Sequence, residues 1–196
     1  MSAGFELDIA ALERYLTANI QEFAGPLSAE KFAGGQSNPT YRLDAKSGRY
    51  VLRRKPPGAL LKSAHAVDRE FRVMRALAAT PVPVPTMRIL CEDESIIGSM
   101  FYVMDFVEGR IFWNAALPEQ SAAERAAIYD AMNQVLADLH SVDPAAVGLS
   151  DYGKPGNYFE RQLGRWTKQY RASETEHIPA MEDLMQWLEQ NKPADD

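Results

Sequence analysis

The sequence AGGQSNPTY, residues 33–41, is the segment around which the other predicted elements of this chain are arranged. Its two adjacent glycines can take positive φ angles and let the backbone approach a ligand with no Cβ in the way. The amides of this loop, the Ser37 hydroxyl and the Asn38 side chain are donors that could face anionic oxygens. A Gly-Gly pair between strands is often only a turn, so the surrounding segments must show whether this loop suits a phosphate chain.

Three strands are predicted around this loop. One runs into it after residue 28, and two alternating runs, residues 41–45 and 50–53, form a hairpin behind it with Ser47-Gly48 as the turn. The third strand ends in the basic cluster RRK, residues 53–55, before a Pro-Pro-Gly stop. The sequence therefore places cations at the end of a strand that neighbours the glycine loop.

Hydrophobic periodicity predicts two helices in the first half of the chain. The first covers residues 8–20, with Asp8 as a good N-cap. The second covers residues 64–79, where apolar residues recur on one face and Glu70 lies at the edge of that face. This second helix brings an acid to the same half of the chain as the basic cluster.

Two further strands follow an extended connector. The connector is PVPVP, residues 81–85, and the strands cover about 86–92 and 99–107. The last strand is almost wholly apolar, so we expect it to be buried on both faces. Strand-like segments stop there, and the sequence predicts an α+β chain with a β-rich domain over residues 1–109 and a helical part over residues 110–196.

The helical part is predicted from caps and periodicity. Ser121 and Glu124 form the pattern of a capping box, and Asn157 with Glu160 resembles a second one. A third helix covers roughly 179–191. These segments predict three amphipathic helices with no strand between them.

Composition limits the class of partner. The net charge of −6 argues against a nucleic acid or an anionic membrane surface. Cys91 is the only cysteine, which excludes an intrachain disulfide and is typical of a reducing cytoplasm. We expect no signal peptide, because the N-terminus lacks a basic region followed by an apolar core. The longest apolar run, around residues 96–104, is too short to cross a bilayer.

The order of these parts resembles the aminoglycoside phosphotransferase (kinase-like) family. The resemblance is strongest to the bacterial branch related to the kinase-like domains of acyl-CoA dehydrogenase family proteins. It rests on GGQSN (34–38), YVLR (50–53), REF (69–71), PVP (83–85), FYVMDFVEG (101–109), LH (139–140), and RW (165–166) with QY (169–170). It implies a kinase-like small lobe, a twisted five-stranded antiparallel sheet with one packed helix, followed by the first helices of an incomplete large lobe.

The resemblance also implies a set of nucleotide-binding residues. Arg53 takes the place of the lysine that pairs the α- and β-phosphates, and Glu70 would hold that cation. Met104 resembles the gatekeeper, while the Asp105 carbonyl and the Val107 amide would bond a purine edge. The full implied set is Gly34, Gly35, Gln36, Ser37, Asn38, Val51, Arg53, Glu70, Met104, Asp105 and Val107.

Several of these assignments have alternatives. Strand alternation favours Arg53 over Arg54 or Lys55, because Arg53 would share a face with Val51 at the base, yet the sequence leaves the three open. Arg53 and Glu70 could also be a surface ion pair worth under about 1 kcal/mol. Met104 could simply be core. The histidines show no metal-ligand spacing, and His140 is more typical of a packed or dipole-favoured histidine than of a catalyst. Trp166 and Tyr170, at helical spacing, read as core residues.

The family's catalytic segment does not occur in this sequence. That segment reads His-Gly-Asp, then Asn, then a later Asp that binds magnesium, and no His-Gly-Asp run is present. We therefore expect the N-terminal part of an ATP- or GTP-dependent phosphotransferase acting on a small-molecule hydroxyl. We expect no catalytic residue and no metal ligand in this chain, with the Mg²⁺ ligands in a missing large lobe.

Two further expectations concern partners. A hydroxyacyl-type acceptor fits the dehydrogenase-linked branch better than an aminoglycoside does, because we find no acidic cluster placed to bind a polycation. Uncovered apolar stripes on the helices predict self-association. The alternative function is a non-catalytic kinase-like binding or scaffold module that has lost its nucleotide affinity.

Overall fold

The structure, a computed structural model, describes residues 7–33, 38–56, 65–154 and 156–193. Each predicted helix and strand is confirmed, with ends that differ by a few residues. In chain order the elements are α1 Ile9–Asn19, β1 Ser28–Lys31, β2 Thr40–Ala45, β3 Gly48–Arg54, α2 Val67–Leu77, β4 Met87–Cys91, β5 Phe101–Asp105, α3 Ala122–His140, α4 Tyr158–Ser173 and α5 Pro179–Asn191.

The strands form one five-stranded sheet in the order β1-β2-β3-β5-β4, and every neighbouring pair is antiparallel. The hairpin of β2 and β3 closes as predicted, with Ala45 opposite Gly48 and Thr40 opposite Arg53. Gly48 has a φ of +143°, a conformation that favours glycine and suits the turn. Strand β3 is central and also pairs with β5.

The two faces of the sheet are covered by different helices. On one face, Leu12 and Leu16 of α1 are buried in a core cluster with Leu43 and Leu52. Asp8 caps α1 as predicted, because its Oδ1 accepts the Ala11 N–H at 2.9 Å. Sequence analysis predicted α1 as a helix without assigning it to this face.

Helix α2 covers the other face of the sheet. Its Val67 and Phe71 pack in a second cluster with Tyr102 of β5. Side chains alternate between the faces of a strand, so Leu52 of β3 points toward α1 while Arg53 points toward α2. This alternation puts the basic end of β3 beside the first turn of α2.

Of the two capping boxes predicted for the later helices, the one at α3 is present and the one at α4 is not. Ser121 and Glu124 form the predicted capping box at α3. The box predicted from Asn157 and Glu160 is wrong, because Asn157 has a left-handed φ of 54° and its side chain makes no cap hydrogen bond. A capping side chain reaches the first turn from extended backbone, and Glu160 pairs with Lys192 instead.

The chain divides into two compact units, Met1–Leu149 and Ser150–Asp196. The first contains the sheet with α1 to α3, and the second contains α4 and α5, which pack against each other. Strands end at Asp105 and only helices follow in the described residues, whereas the domain boundary at residue 109 stays a prediction. Trp166 of α4 is more than half exposed, so its prediction as a core residue is wrong.

Among the described helices, none is both long enough and apolar enough to cross a membrane.

Candidate functional site

The predicted contact between Arg53 and Glu70 is present. The Arg53 Nε donates to Glu70 Oε2 at 2.7 Å, and its Nη2 reaches Oε1 at 3.4 Å. The two side chains are 31% and 34% exposed, so the pair borders solvent without being fully solvated. Glu70 lies in the first turn of α2, where a helix favours negative charge.

Tyr102 of β5 holds the Glu70 carboxylate from the side of the sheet. It lies directly opposite Arg53 in the pairing of β3 with β5, and its hydroxyl donates to Glu70 Oε2 at 3.0 Å. Burial first, and then the nearby Glu70 charge, raise the pKa of Tyr102 well above its ordinary value. The hydroxyl therefore stays protonated at neutral pH and remains a donor.

Two residues from the strand and loop beside the pair complete the network. Arg53 Nη1 donates to the Thr40 hydroxyl at 3.1 Å. The Asn38 Nδ2 donates to Glu70 Oε1 at 3.0 Å, and the Asn38 Oδ1 lies 2.8 Å from the His65 Nδ1. The Glu70 carboxylate is thus held by Arg53, Tyr102 and Asn38 together.

Sequence reasoning missed Thr40, Tyr102 and His65. Thr40 could have been found, because the two-residue turn at residues 46–47 fixes the hairpin register that sets Thr40 opposite Arg53. Tyr102 needed the register between β3 and β5, two strands that are distant in sequence. No sequence pattern signals His65, whose position depends on a left-handed backbone φ of 62°.

The neighbouring basic residue, Arg54, points to the opposite face. It is almost fully buried, its Nε donates to the Ser99 hydroxyl at 2.8 Å, and burial lowers its pKa. Of the three basic residues left open by the sequence, Arg53 is the one that meets Glu70 within the described residues. Its contact with a phosphate stays a prediction.

A cleft of about 580 Å³ opens at the end of β5. Its lining includes the predicted residues Val51, Met104, Asp105 and Val107, together with Pro83–Pro85 of the connector and Phe32 before the glycine loop. Met104 lies opposite Val51 across β3 and β5. The structure therefore brings the predicted gatekeeper and base-contacting residues to one cleft.

Asp105 and Glu108, at and just past the end of β5, already have hydrogen-bond or ion-pair partners within the protein. The Asp105 N–H donates to the Thr86 carbonyl at 2.9 Å, and its carboxylate accepts from Arg88 Nε at 2.6 Å and Nη2 at 2.9 Å. Glu108 pairs with Arg49. Val107 is exposed and lines the cleft, and the contact of its amide with a purine stays a prediction.

The predicted loop residues Gly34, Gly35, Gln36 and Ser37 lie outside the described residues. Asn38, the last member of that predicted loop, is described and is buried. Its amide faces Glu70 and His65, so the sequence-based role as a phosphate donor stays a prediction.

In the described residues of the second unit, Glu174, His177 and Glu182 bring potential metal-ligand atoms within 4.8 Å of one another. Arg171 forms ion pairs with both carboxylates. Because a guanidinium already neutralises these acids, the cluster carries no metal assignment.

Comparison with known proteins agrees with the fold. Residues 28–196 match the profile of the phosphotransferase enzyme family. A crystal structure from Ralstonia eutropha JMP134, described provisionally as an aminoglycoside phosphotransferase, is 56% identical with a TM-score of 0.82. The match covers 96% of this chain and 55% of that one.

Two curated relatives carry the name of the acyl-CoA dehydrogenase family. Acyl-CoA dehydrogenase family member 10 of Mus musculus is 52% identical over 93% of this chain. Acyl-CoA dehydrogenase family member 11 of Rattus norvegicus is 47% identical over 97% of it. The chain spans only 17% and 25% of the lengths of these relatives. With the matched profile and the kinase-like sheet, these similarities show that the chain belongs to the phosphotransferase enzyme family.

Proposed function

We propose that this chain is the nucleotide-binding part of an ATP- or GTP-dependent phosphotransferase that acts on a hydroxyl group of a small molecule. The observation that carries the proposal is the Arg53–Glu70 ion pair, which lies on the α2 face of the sheet whose β5 end borders the cleft. This is the pairing that kinase-like enzymes use to present a cation to the α- and β-phosphates.

The guanidinium geometry supports this role. Arginine has five N–H donors in a rigid fork, and the contacts with Glu70 and Thr40 use three of them. The remaining donors and the partial exposure of Arg53 suit a phosphate oxygen. Glu70 orients the guanidinium fork of Arg53. The contacts of Glu70 with Asn38 and Tyr102 hold the carboxylate in place if Arg53 moves toward a phosphate.

The cleft supports the nucleotide base in the same proposal. Val51 and Met104 offer apolar side chains to a flat ring, and Val107, an exposed residue just past the end of β5, would supply its main-chain N–H. Ligand clefts with an apolar lining and a few fixed polar groups are typical of small-molecule sites. The proposal includes both ATP and GTP.

Magnesium is implied by the family, yet the described acids beside the cleft do not suit it. Glu70, Asp105 and Glu108 are each paired with an arginine, which removes the charge that a hard cation needs from its carboxylate ligands. The proposal therefore assigns no magnesium ligand to this chain and derives no step through the ion.

For the acceptor, we favour a hydroxyacyl compound over an aminoglycoside. The curated relatives carry acyl-CoA dehydrogenase names, which points to acyl chemistry, whereas the crystal-structure relative is named for aminoglycosides. A polycationic acceptor needs free carboxylates, and the three acids named above already have arginine partners.

Titration calorimetry with ATP and with GTP, in the presence and absence of Mg²⁺, tests the proposal. Wild-type protein should bind one of them saturably, and Arg53→Ala should weaken that binding about tenfold or more, the usual effect of losing a charge-assisted contact. Arg42→Ala is a matched control, because Arg42 is also an ion-paired sheet arginine but contacts Glu30 and Asp44. Absence of saturable binding, or equal effects of the two variants, would contradict the proposal.

A non-catalytic binding module is the second candidate. It is favoured by the exposure of two large apolar side chains, Ile111 at the edge of the cleft at 73% and Trp113 two residues further on at 87%, since such residues are typical of protein contacts. Nucleotide titrations with no saturable signal would favour this candidate.

A further inference from the structure

We propose that His65 and Asn38 are positioning residues for the nucleotide triphosphate, acting as a relay that fixes Glu70 and, through it, Arg53. The inference rests on the proposed nucleotide-binding function and deepens it. It concerns the hydrogen bonds from His65 to Asn38 and from Asn38 to Glu70, which no sequence pattern predicts.

The chemistry of the partners fixes the direction of each bond. A carboxylate with an arginine partner only accepts hydrogen bonds, so the Asn38 atom that faces Glu70 must be the amide nitrogen. The Asn38 oxygen then faces His65, and because a carbonyl oxygen only accepts, the His65 Nδ1 must carry a proton. The relay therefore assigns the Nδ1–H form to His65.

Asn38 is buried, with 4% of its surface exposed. Both ends of its amide are paired, so loss of either partner would leave a buried polar atom unsatisfied. Its backbone carbonyl accepts the Thr40 hydroxyl at 3.1 Å, and that hydroxyl accepts from Arg53. Asn38 thus reaches both members of the ion pair, Glu70 through its side chain and Arg53 through Thr40.

His65 is placed where it can join two segments of the site. Its carbonyl accepts the Val67 N–H at 2.9 Å at the start of α2, while Asn38 is the last residue of the predicted phosphate loop. His65 has a φ of 62°, which costs energy for a residue with a Cβ. The contact with Asn38 offsets that cost and ties the start of α2 to the last residue of the predicted loop.

Two substitutions separate the side chain of His65 from its backbone. His65→Gly accepts the positive φ and removes the donor. His65→Asn also tolerates the left-handed conformation and offers an amide N–H near the position of Nδ1. His177→Ala, a change at an exposed histidine of the second unit, is the control for loss of an imidazole.

The test compares ATP with adenosine, which lacks the phosphates, by calorimetry on all four proteins, with GTP and guanosine in their place if GTP is the nucleotide that wild-type protein binds. We expect His65→Gly to weaken ATP binding about two- to tenfold, the usual range for one lost hydrogen bond, with adenosine affinity unchanged. His65→Asn should restore most of the ATP affinity, and His177→Ala should match wild type. Nitrogen NMR of the wild-type protein should show a protonated Nδ1 on His65.

The outcomes separate this inference from the proposed function. If wild-type protein binds ATP but His65→Gly leaves the ratio of ATP to adenosine affinity unchanged, the relay is wrong and the proposed function stands. A bare Nδ1 on His65 in the NMR spectrum would also overturn the relay. If wild-type protein binds neither ATP nor GTP saturably, the proposed function fails, and the positioning role fails with it.

Discussion

Arg53 and Tyr102 face each other across β3 and β5, and both donate to the same oxygen of Glu70, at 2.7 and 3.0 Å. The two hydrogen bonds to this one oxygen therefore depend on how β3 and β5 lie relative to each other. A change in the register of β3 against β5 would separate the two donors, so the sheet itself sets the geometry of the site.

Tyr102→Phe tests the contribution of this second donor. The ring should keep its packing on Phe71, at a centroid distance of 6.2 Å, while Glu70 loses one hydrogen bond. We expect a loss of about 1–2 kcal/mol in the free energy of unfolding and a several-fold weaker ATP affinity. Urea denaturation measures the first and calorimetry the second. An unchanged free energy of unfolding would show that the hydroxyl contributes nothing there.

The raised pKa of Tyr102 predicts how stability changes in alkaline solution. The unfolded chain ionises this tyrosine near its ordinary value of 10.0, while the folded protein resists ionisation. The stabilising effect is therefore complete below about pH 10 and is lost as the pH rises further. The free energy of unfolding should fall by up to about 1.4 kcal/mol per pH unit for this group.

The matched variant for that measurement is again Tyr102→Phe, which has no proton to lose. Tyr15 also has a pKa raised by burial, to about 12, so the variant should keep part of the alkaline slope. Denaturation between pH 8 and pH 11 in both proteins gives the difference. Identical slopes would show that Tyr102 is not protected in the folded state.

Arg53→Lys asks whether the fork of the guanidinium matters. Lysine keeps the charge, but one ammonium group cannot reproduce the three contacts that Arg53 makes with Glu70 and Thr40. We expect an ATP affinity a few-fold below wild type and above that of Arg53→Ala. Calorimetry on the three proteins gives the order. An Arg53→Lys protein with wild-type affinity would show that the guanidinium fork does not matter, and one as weak as Arg53→Ala would show that the charge contributes nothing.

Exposed apolar side chains on the helices that follow the sheet lead us to expect self-association of this chain. Met132 of α3, Trp166 of α4 and Trp187 of α5 are each more than half exposed, and such apolar surface promotes contacts between copies. We expect species larger than a monomer in sedimentation velocity at micromolar concentration. The double change Trp166→Glu and Trp187→Glu should shift the population toward monomer. A wild-type protein that sediments as a clean monomer would contradict this expectation.

The sequence predicted the elements and the central ion pair for identifiable reasons. Alternation along β3 separates Arg53 from Arg54, and the apolar stripe of α2 fixes the place of Glu70, so both follow from local patterns. The sequence did not reveal Tyr102, because its role depends on a strand pairing between distant segments. It also missed His65, whose backbone φ is unusual for a residue with a side chain.

Asn38 and Asn157 are two single residues whose surroundings in the fold could not be predicted from sequence. From sequence, Asn38 reads as a donor for phosphate, yet its amide is buried between Glu70 and His65. Asn157 reads as a helix cap, yet its left-handed backbone prevents the capping contact. For Asn157 the residue type was compatible with the predicted role and the local backbone decided otherwise, whereas the role of Asn38 as a phosphate donor stays a prediction.

The most direct test of the account is an experimental structure of this chain with bound ATP. We predict the guanidinium of Arg53 within hydrogen-bonding distance of an α- or β-phosphate oxygen, Glu70 still paired with Arg53, and the purine in the cleft between Val51 and Met104. ATP bound elsewhere, or bound with Arg53 turned away from the phosphates, would contradict the central claim.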